Sequence, residues 1–529
     1  MTPSLKDTPP ALARQRQLIA TLCDRGPFPH PAKHVQLIET HISWVLLAGR
    51  FAYKIKKALD LGFLDYSTLT ARRFCCDEEI RLNRRLAPQL YLDTVPIGGS
   101  PDAPLFGEQP AIEYAVRMRR FAAIRQMDHQ LTLGRVTPLH MDQLAELVAN
   151  FHACLPGNAS YGQAADIHAV TLENLNHLQP LLGEDSDRAL LARLQSACDT
   201  EFAACAAVIE QRRLAGYVRE CHGDLHLGNI ALLRDHPVPF DGIEFSPALR
   251  WTDTMSELAF TVMDLLHRKR ADYAWRFLNS CLQISGDYAG MVVLRYYLAY
   301  RALVRAKVSA IRASQPGQTA PHRQEALEAG RSYLALASNI LSQRRPALLL
   351  THGLPGSGKT YFSQLALERL GAIRLRSDVE RKRLYGLAAL DNSRARVGDI
   401  YSPDATRRTY DRLLDLARTL LQAGYPVIVD AAFLSQNERQ QFRQLTKELS
   451  TPFAIASLQA DDATLRARIL QRHNDASEAD LAVLELLQNK QEPLTEDELA
   501  HTVTFNAESA WEESNHDQSW RRLTELLSH

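Results

Sequence analysis

The sequence lacks net charge, because its 61 lysine and arginine residues balance 61 aspartate and glutamate residues. Without an overall field, the chain does not attract a polyanion globally. Charge therefore does not indicate nucleic acid or an acidic membrane as a partner, although the overall balance is compatible with a local basic groove. The eight cysteines form no CxxC pair and none follows Cys281, which is typical of reduced thiols. The start lacks an apolar signal core and no run approaches membrane-spanning length, so we expect a cytoplasmic protein without a membrane partner.

The length of 529 residues exceeds what one ordinary hydrophobic core supports. A hydrophobic content of 46% and a charged content of 23% are typical of globular proteins. We predict two domains, residues 1–342 and 343–529, with the boundary near Ser342–Pro346. The sequence contains no internal repeat and leaves the oligomeric state open.

The most informative stretch fits the phosphate-binding pattern GxxxxGK[ST], in which a glycine loop between a strand and a helix surrounds phosphate with backbone N–H groups. An apolar strand candidate, Ala347–Leu350, precedes it, and apolar residues at helical spacing follow it. We predict a P-loop that binds ATP and Mg²⁺, since a Gly-rich surface turn explains the context less well. Its predicted nucleotide-binding residues are Gly353, Gly356, Ser357, Gly358, Lys359 and Thr360.

Two carboxylates follow strands of this second half. Pro426–Val429 is a buried-strand candidate that ends in Asp430, which we predict to hold magnesium with Thr360. A shorter strand near Ala372–Leu375 precedes Asp378 and Arg381. Residues past the carboxyl ends of parallel strands line the ligand crevice, so Asp378 is predicted to meet an acceptor hydroxyl and Arg381 to grip the acceptor or the phosphate. The alternative is an ordinary helix cap with an exposed arginine.

This Asp-x-x-Arg sequence after a P-loop resembles the kinase half of polynucleotide kinases and the zeta-toxin and gluconate-kinase group of P-loop kinases. The resemblance implies that Arg468 and Arg472, on a helix near Asp461–Arg472, close over the phosphates, although plain solvated charges are the alternative. Asn489–Glu492 is similar to a GTPase base-reading motif, but it ends in Glu and lies in a helical pattern, which argues against a GTPase.

The first half begins with three strand candidates, of which Phe51–Lys57 places Lys54 and Lys56 on one face. A helical segment near Ala71–Leu86 follows and contains Glu79. A strand lysine with a helix glutamate is how kinase-like lobes hold phosphates. The sequence does not decide between Lys54 and Lys56.

The segment Cys221–Ile230 places Asp224 and Asn229 five residues apart, as in a kinase catalytic loop, and Asp241 follows Phe240 further on. The sequence His-Gly-Asp-x-His-x-x-Asn-Ile followed by Phe-Asp-x-Ile-Glu-Phe resembles the aminoglycoside phosphotransferase and choline kinase superfamily over roughly residues 30–310. The resemblance implies Asp224 as catalytic base, Asn229 and Asp241 as magnesium ligands, and Lys54 with Glu79 as the phosphate-positioning pair.

One departure from kinases concerns the loop between the first two strands. Glu39-Thr40-His41 contains no glycine where protein kinases have a Gly-rich cover. The covering of the β- and γ-phosphates, and hence the activity of this half, is therefore in question. His222 and His226 have a spacing that could suggest a zinc site, but zinc would need a third His or Cys nearby. We therefore expect His222 to brace the catalytic loop.

The sequence thus predicts an α+β kinase-like bilobal domain followed by an α/β P-loop domain with a parallel sheet. The expected activity is a kinase with two nucleotide sites that transfers the ATP γ-phosphate to a small-molecule hydroxyl. A regulatory ATP-binding protein with an inactive first half and an ATP-hydrolysing P-loop domain is one alternative. A nucleic-acid 5′-hydroxyl kinase is another, and the sequence does not name the acceptor.

Overall fold

The computed structural model describes residues 10–62, 64–182, 185–314, 319–393, 400–471, 476–508 and 513–528. The chain folds into two compact units. The first unit comprises residues 1–144, 151–166 and 210–261, and the second comprises residues 145–150, 167–209 and 262–529. The predicted domain boundary near Ser342 stays a prediction.

Strands occur in both units of the described chain. In chain order they are β1 (Val35–Glu39), β2 (Ser43–Ala48), β3 (Phe51–Lys56), β4 (Tyr91–Ser100), β5 (Ala103–Phe106), β6 (Glu113–Arg119), β7 (Val218–Glu220), β8 (Ile230–Leu233), β9 (His236–Pro239), β10 (Trp251–Asp253), β11 (Ala347–His352), β12 (Ile373–Arg376), β13 (Pro426–Asp430), β14 (Phe453–Gln459) and β15 (Thr502–Asn506).

The α-helices of the described residues are α1 (Pro10–Arg25), α2 (Leu69–Asn83), α3 (Met127–Thr132), α4 (Pro138–Cys154), α5 (Ala164–Leu178), α6 (Asp185–Leu214), α7 (Pro247–Arg250), α8 (Thr254–His267), α9 (Ala271–Ser285), α10 (Met291–Ala313), α11 (Ala320–Ser342), α12 (Lys359–Leu370), α13 (Ser377–Leu384), α14 (Pro403–Gln422), α15 (Gln436–Glu448), α16 (Asp462–Leu470), α17 (Leu481–Lys490), α18 (Glu496–Ala500) and α19 (Glu513–Ser528).

The main sheet of the first unit is antiparallel, with the strand order β1-β2-β3-β6-β4-β5. Its central strand β3 is buried along its whole length. Helix α2 packs on β4 and β6, which brings Glu79 over the face of the sheet. Strands β4 and β5 were not predicted, because Pro96, Gly98 and Gly99 give β4 the composition of a loop.

Two hairpin-like pairs in this unit frame the catalytic-loop motif. Strand β8 pairs with β9 in an antiparallel hairpin, and β7 pairs with β10. Helix α8 begins only at Thr254, since the preceding residues Trp251–Asp253 form strand β10. Asp253 there accepts two hydrogen bonds of 2.8 Å from the buried guanidinium of Arg212, which holds the segment in the sheet.

The sheet of the second unit has the order β12-β13-β11-β14-β15, and every pair is parallel. Its core includes Phe362, Phe505 and Trp520, whose rings contact one another. The P-loop connects β11 to α12 at the carboxyl edge of the sheet, where β12 and β13 also end. The predicted fold class, an α+β kinase-like region followed by an α/β domain with a parallel sheet, is confirmed.

Two further features bear on the expectations from composition. Among the described helices, none combines the length and the apolar character needed to cross a bilayer. All eight cysteines lie in the described ranges, and none of them is in a disulfide.

Candidate functional site

The first candidate site is a line of charged side chains in the first unit. Lys54 Nζ donates to Glu79 Oε1 at 2.9 Å and to Asp241 Oδ1 at 2.5 Å. Glu79 is fully buried, whereas the side chain of Asp241 is 44% exposed. Burial alone would lower the pKa of the Lys54 ammonium, but Asp241 and Glu79 raise it well above its ordinary value. Lys54 therefore carries a positive charge at the solvent-facing end of this line.

Lys56 lies deeper on the same face of β3. Its ammonium donates to Glu79 Oε2 at 2.7 Å and to Glu244, and the hydroxyl of Tyr66 donates to Glu244 Oε1 at 2.5 Å. Burial opposes the charge on Lys56, but Glu244 and Glu79 outweigh it and raise its pKa. The two lysines thus share Glu79, one on each carboxylate oxygen, and Lys54 is the one that contacts Asp241.

The catalytic-loop motif brings together the residues that the sequence predicted. Asn229 Nδ2 donates to Asp224 Oδ2 at 2.9 Å and to the Asp224 carbonyl at 3.0 Å. The Phe240 N–H donates to the Asn229 carbonyl at 2.9 Å, which places the following residue, Asp241, beside this loop. Asp241 has a φ of 64°, a conformation that Asp tolerates better than most residues and that is concentrated at functional sites.

Three side chains that the sequence analysis did not assign hold the backbone around Asp224 and Asp241 in place. The buried carboxylate of Glu257 accepts the N–H groups of His222 at 2.7 Å and Gly223 at 3.1 Å. Asn83 Oδ1 accepts the Gly242 N–H at 2.8 Å, and the Tyr91 hydroxyl accepts the Asp241 N–H at 3.0 Å. Glu244, which the sequence analysis did not assign either, anchors Lys56. The motif Phe-Asp-x-Ile-Glu already contained Glu244, but the other three come from distant elements.

His222 has the contacts of a loop brace. Its Nε2 lies 2.9 Å from the Phe240 carbonyl and its Nδ1 lies 3.3 Å from the Asp224 N–H. Burial lowers its pKa, so the ring is neutral and donates from Nε2 while Nδ1 accepts. The ring therefore connects the segment before Asp224 with the segment before Asp241.

The glycine-free loop between β1 and β2 is held by side chains instead of by glycine turns. Lys57 Nζ donates to Glu39 Oε1 at 2.6 Å and to the Thr40 carbonyl at 2.5 Å, and Thr40 Oγ1 accepts the Ser43 N–H at 2.9 Å. The pKa of His41 is lowered overall by burial and by the charge of Lys57, and the charge of Asp241 partly offsets this shift. His41 therefore lies within electrostatic range of the Lys54–Asp241 pair.

The second candidate site is the P-loop of the second unit. Gly353, Gly356 and Gly358 have φ angles of 147°, 85° and 87°, in the region that favours glycine. A Cβ at Gly353 would lie 2.6 Å from the Leu458 carbonyl oxygen, and one at Gly356 would lie 2.8 Å from the Leu465 carbonyl oxygen. The loop shape therefore depends on glycine at these positions. Lys359 Nζ donates to the Gly353 and Leu354 carbonyls at 2.9 and 2.8 Å.

Asp430 lies at the end of β13, directly paired with Arg376 of β12. Its Oδ2 lies 3.0 Å from Ser363 Oγ and 3.7 Å from Arg376 Nε. Ser363, which the sequence analysis did not assign, is one helical turn beyond Thr360. Asp430 and the first turn of α12, which contains Thr360, are thus on the same side of the sheet.

Asp378 lies in the first turn of α13, immediately after β12. Burial raises the pKa of Tyr401, and the negative charge of Asp378 raises it further. Arg381 is 6% exposed; its Nη1 donates to the Ile400 carbonyl and to Thr406 Oγ1, both at 3.1 Å, and its guanidinium lies 5.0 Å from the Tyr401 ring centre. These contacts fix α13 to the chain that enters α14.

Of the two arginines predicted to cover the phosphates, the structure describes the contacts of Arg468 alone. Arg468 donates to the Gly356 carbonyl at 3.3 Å and to the Ala507 carbonyl at 2.7 Å, so it lies against the P-loop. Arg472 lies outside the described residues. Helix α17 ends at Lys490, within the segment that is similar to a GTPase base-reading motif.

Comparison with known proteins gives one family match. Residues 348–494 match a family described as AAA domain. The matched range contains Lys359, Asp378, Asp430 and Arg468.

Two curated relatives extend over most of the chain. It is 29% identical over 466 residues to an uncharacterized protein of Mycobacterium tuberculosis (strain ATCC 25618 / H37Rv), covering 86% of this chain and 90% of the relative. The same values hold for an uncharacterized protein of Mycobacterium bovis.

Solved structures similar to parts of the chain include three kinases. A gluconokinase from Sinorhizobium meliloti 1021 is 16% identical, with 35% of this chain and 95% of that chain covered and a TM-score of 0.26. Amicoumacin kinase in complex with AMP-PNP, Ca²⁺ and Ami is 12% identical, with 61% and 94% covered and a TM-score of 0.39. A choline/ethanolamine kinase family protein from Mesorhizobium loti is 10% identical, with 63% and 98% covered and a TM-score of 0.36.

Proposed function

We propose that the chain is a cytoplasmic, magnesium-dependent ATP phosphotransferase with two nucleotide sites, which transfers the γ-phosphate to small-molecule hydroxyl acceptors. The observation that carries the proposal is the P-loop, whose three glycines keep positive φ angles immediately before Lys359 at the start of α12. Backbone N–H groups at a helix N-terminus bind phosphate, and a lysine at this position reaches the β- and γ-phosphates.

The charged line of the first unit supports the first nucleotide site. Lys54 would transfer from Asp241 to the nucleotide phosphates, while Glu79 continues to orient it. Asp224 would accept the proton of the acceptor hydroxyl, because the Asn229 amide holds its carboxylate in the loop. Lys56 is too deeply buried, at 1% exposure, to serve as the phosphate ligand.

The oxygen ligands in both units fit a magnesium ion, which prefers carboxylate and carbonyl oxygens. Asn229 and Asp241 would hold it in the first unit, and Thr360 and Asp430 in the second. The contacts of Asn229 engage its amide nitrogen, which leaves Oδ1 as a ligand atom. When bound, magnesium supplies positive charge that neutralises the phosphate oxygens during transfer.

The second site would use Asp378 as its base. The carboxylate accepts the proton of the acceptor hydroxyl, the acceptor oxygen bonds to the γ-phosphorus, and the bond from that phosphorus to the bridging oxygen breaks, so that ADP leaves. Arg381, which is buried against Ile400 and Thr406, would act on the acceptor side by holding α13 in place. Arg468 would stabilise the P-loop through the Gly356 carbonyl.

A regulatory function is the second candidate, and one observation favours it. Lys54 is already bound to Asp241 at 2.5 Å, and the loop that would cover the phosphates contains no glycine. Nucleotide binding in the first unit must break this ion pair, so turnover there would be slower than in the second. In this alternative the first unit binds nucleotide without transfer and the P-loop domain hydrolyses ATP.

The test is a transfer screen with γ-labelled ATP and the full chain, using small-molecule alcohols in one arm and 5′-hydroxyl oligonucleotides in the other. We expect label in a small molecule, and we expect Asp378→Asn and Asp224→Asn each to slow transfer to the acceptor of its own unit by about 10²–10⁴ while nucleotide binding persists. Label in the oligonucleotide arm alone would assign a nucleic-acid kinase. ATP hydrolysis with no labelled acceptor in either arm would support the regulatory alternative.

A further inference from the structure

Strand β12 is the outer strand of the parallel sheet, with β13 as its neighbour on one side. An edge strand leaves backbone N–H and C=O groups without strand partners. Here those groups matter, because β12 leads directly into Asp378 at the start of α13. Whatever holds the outer edge of β12 also determines where Asp378 lies.

The side chain of Asn279, in helix α9, lies against that edge and is 4% exposed. Its Oδ1 accepts the Arg374 N–H at 2.7 Å, and its Nδ2 donates to the Ala372 carbonyl at 2.9 Å. These are the two groups on either side of Ile373 that a residue of a parallel neighbouring strand would bond. One carboxamide thus takes the place of a sixth strand.

The orientation of this amide is fixed from its own helix. Nδ2 also donates to the Trp275 carbonyl one turn earlier at 2.9 Å. The two N–H groups of Nδ2 therefore donate to two carbonyls, and Oδ1 accepts an N–H. If the amide were flipped, its oxygen would lie against the two carbonyls and could accept from neither. The geometry leaves one arrangement that satisfies all three bonds.

The same region holds the next backbone group and the following helix. The Tyr288 hydroxyl lies 3.4 Å from the Arg374 carbonyl. Arg383 of α13 donates to the Gln283 carbonyl at 2.6 Å. Gly286, which ends α9 with a φ of 75°, lies so close to Arg383 that a Cβ there would be 2.8 Å from its Nε. Both β12 and α13, the elements on either side of Asp378, are therefore anchored to α9 and the residues that follow it.

We propose that Asn279 is a positioning residue for the transfer site of the second unit, holding β12 so that Asp378 meets the acceptor. This inference rests on the proposed role of Asp378. It implies that the P-loop site needs residues outside the family match at 348–494 and outside the domain predicted at 343–529. The transfer site is completed by a helix that precedes both ranges.

The test compares full-length wild type with Asn279→Leu, which keeps the side-chain volume but leaves the Arg374 N–H and the Ala372 carbonyl without partners. Each unpaired buried group favours opening of the strand edge by about tenfold or more. We expect amide hydrogen exchange in residues 372–378 to accelerate about tenfold, with exchange in α12 unchanged. In an Asp241→Ala background, which removes the proposed nucleotide site of the first unit, the kcat of transfer to the acceptor found in the screen falls by about 10–100-fold, while the affinity for an ATP analogue stays within about twofold.

Cys281→Ala is the matched control, because Cys281 is buried in the same helix with its Sγ 3.8 Å from the Ala145 carbonyl. It alters the packing of α9 without touching β12, so exchange at 372–378 and transfer stay unchanged. If Asn279→Leu does not fold, Tyr288→Phe removes a single bond to Arg374 and produces the same changes at smaller size. Equal acceleration of exchange in α12, or unchanged exchange at 372–378, would overturn the proposal. Faster exchange at 372–378 together with full activity of Asp378→Asn would leave the anchoring role intact and remove the proposed function of Asp378.

Discussion

The two candidate sites differ in what forms the proposed phosphate-binding surface. In the first unit it consists of side chains that already neutralise one another, as Lys54 bonds to Asp241 and Glu79. In the second unit it is a backbone loop, and Lys359 bonds to carbonyl groups of that same loop. A neutral carbonyl releases a lysine more easily than a carboxylate does. Under the proposed function, Lys359 would therefore change partners easily when a nucleotide binds, whereas Lys54 would have to exchange one strong ion pair for another.

The difference also concerns stability. The first unit contains two lysines and two carboxylates within its buried network, and each such charge is tolerated only because it is paired. In the second unit, the site depends instead on glycines with positive φ angles and close backbone contacts. Substitutions should therefore affect folding most in the first site and nucleotide affinity most in the second.

The largest expected effect is that of Lys56→Met. Removing this ammonium leaves Glu244 and one oxygen of Glu79 buried without a cation, which costs about 3–5 kcal/mol in unfolding free energy. Urea unfolding of the first unit measures it. Lys54→Met is the matched control on the same strand face: it should cost less, because Asp241 is 44% exposed, while abolishing nucleotide binding in this unit. Equal stability losses for the two variants would contradict the predicted difference between the buried and the partly exposed ion pair.

A smaller effect is expected for Gly356→Ala in the P-loop. The new Cβ would lie 2.8 Å from the Leu465 carbonyl oxygen at a φ of 85°, and such a strained backbone costs about 1–3 kcal/mol. We expect affinity for an ATP analogue at this site to fall by about tenfold or more, as calorimetry in an Asp241→Ala background would show. Gly386→Ala is the control, since its φ is also positive but no atom lies near its Cβ position. Unchanged affinity in Gly356→Ala would contradict the need for glycine in the loop.

An effect of about the same size as that of Gly356→Ala concerns pH and the buried His352. Burial, with help from Arg439 and Lys359, lowers the pKa of His352 to about 4, compared with about 6.5 in an unfolded chain. Between these values the unfolded state binds the proton and the folded state does not, so stability is lost as pH falls from about 6.5 toward 4. From pH 7 to pH 5 this histidine should account for a loss of about 2 kcal/mol. In urea unfolding at both pH values, His352→Gln should reduce the acid sensitivity by that amount; an unchanged loss would show that His352 is not the group responsible.

The sequence predicted the second site more completely than the first, and the reason is physical. A glycine loop between strand and helix is a local pattern, and Gly353 through Thr360 are contiguous. Asp430 and Asp378 follow strands whose apolar runs are short and clear. Local patterns of this kind need no knowledge of distant contacts.

The first site depends on contacts that no local pattern contains. Lys54 and Lys56 lie on the same face of one strand, and they differ in whether Asp241 or Glu244 contacts them. Glu257, Asn83 and Tyr91 fix the loop from elements far away along the chain. The same holds for Asn279, whose carboxamide bonds to β12 across 95 positions, and for strand β4, whose proline and glycines conceal a strand that the sheet stabilises.

The central claim is that the chain has two independent nucleotide sites, and the most direct test is the stoichiometry of binding of a non-hydrolysable ATP analogue with magnesium to the full chain by calorimetry. We predict a value approaching two per chain, falling to one in Lys359→Ala and to one in Asp241→Ala, with the second unit retaining the site in the latter. A stoichiometry of one that Lys359→Ala eliminates entirely would contradict the claim, since the first unit would then bind no nucleotide by itself.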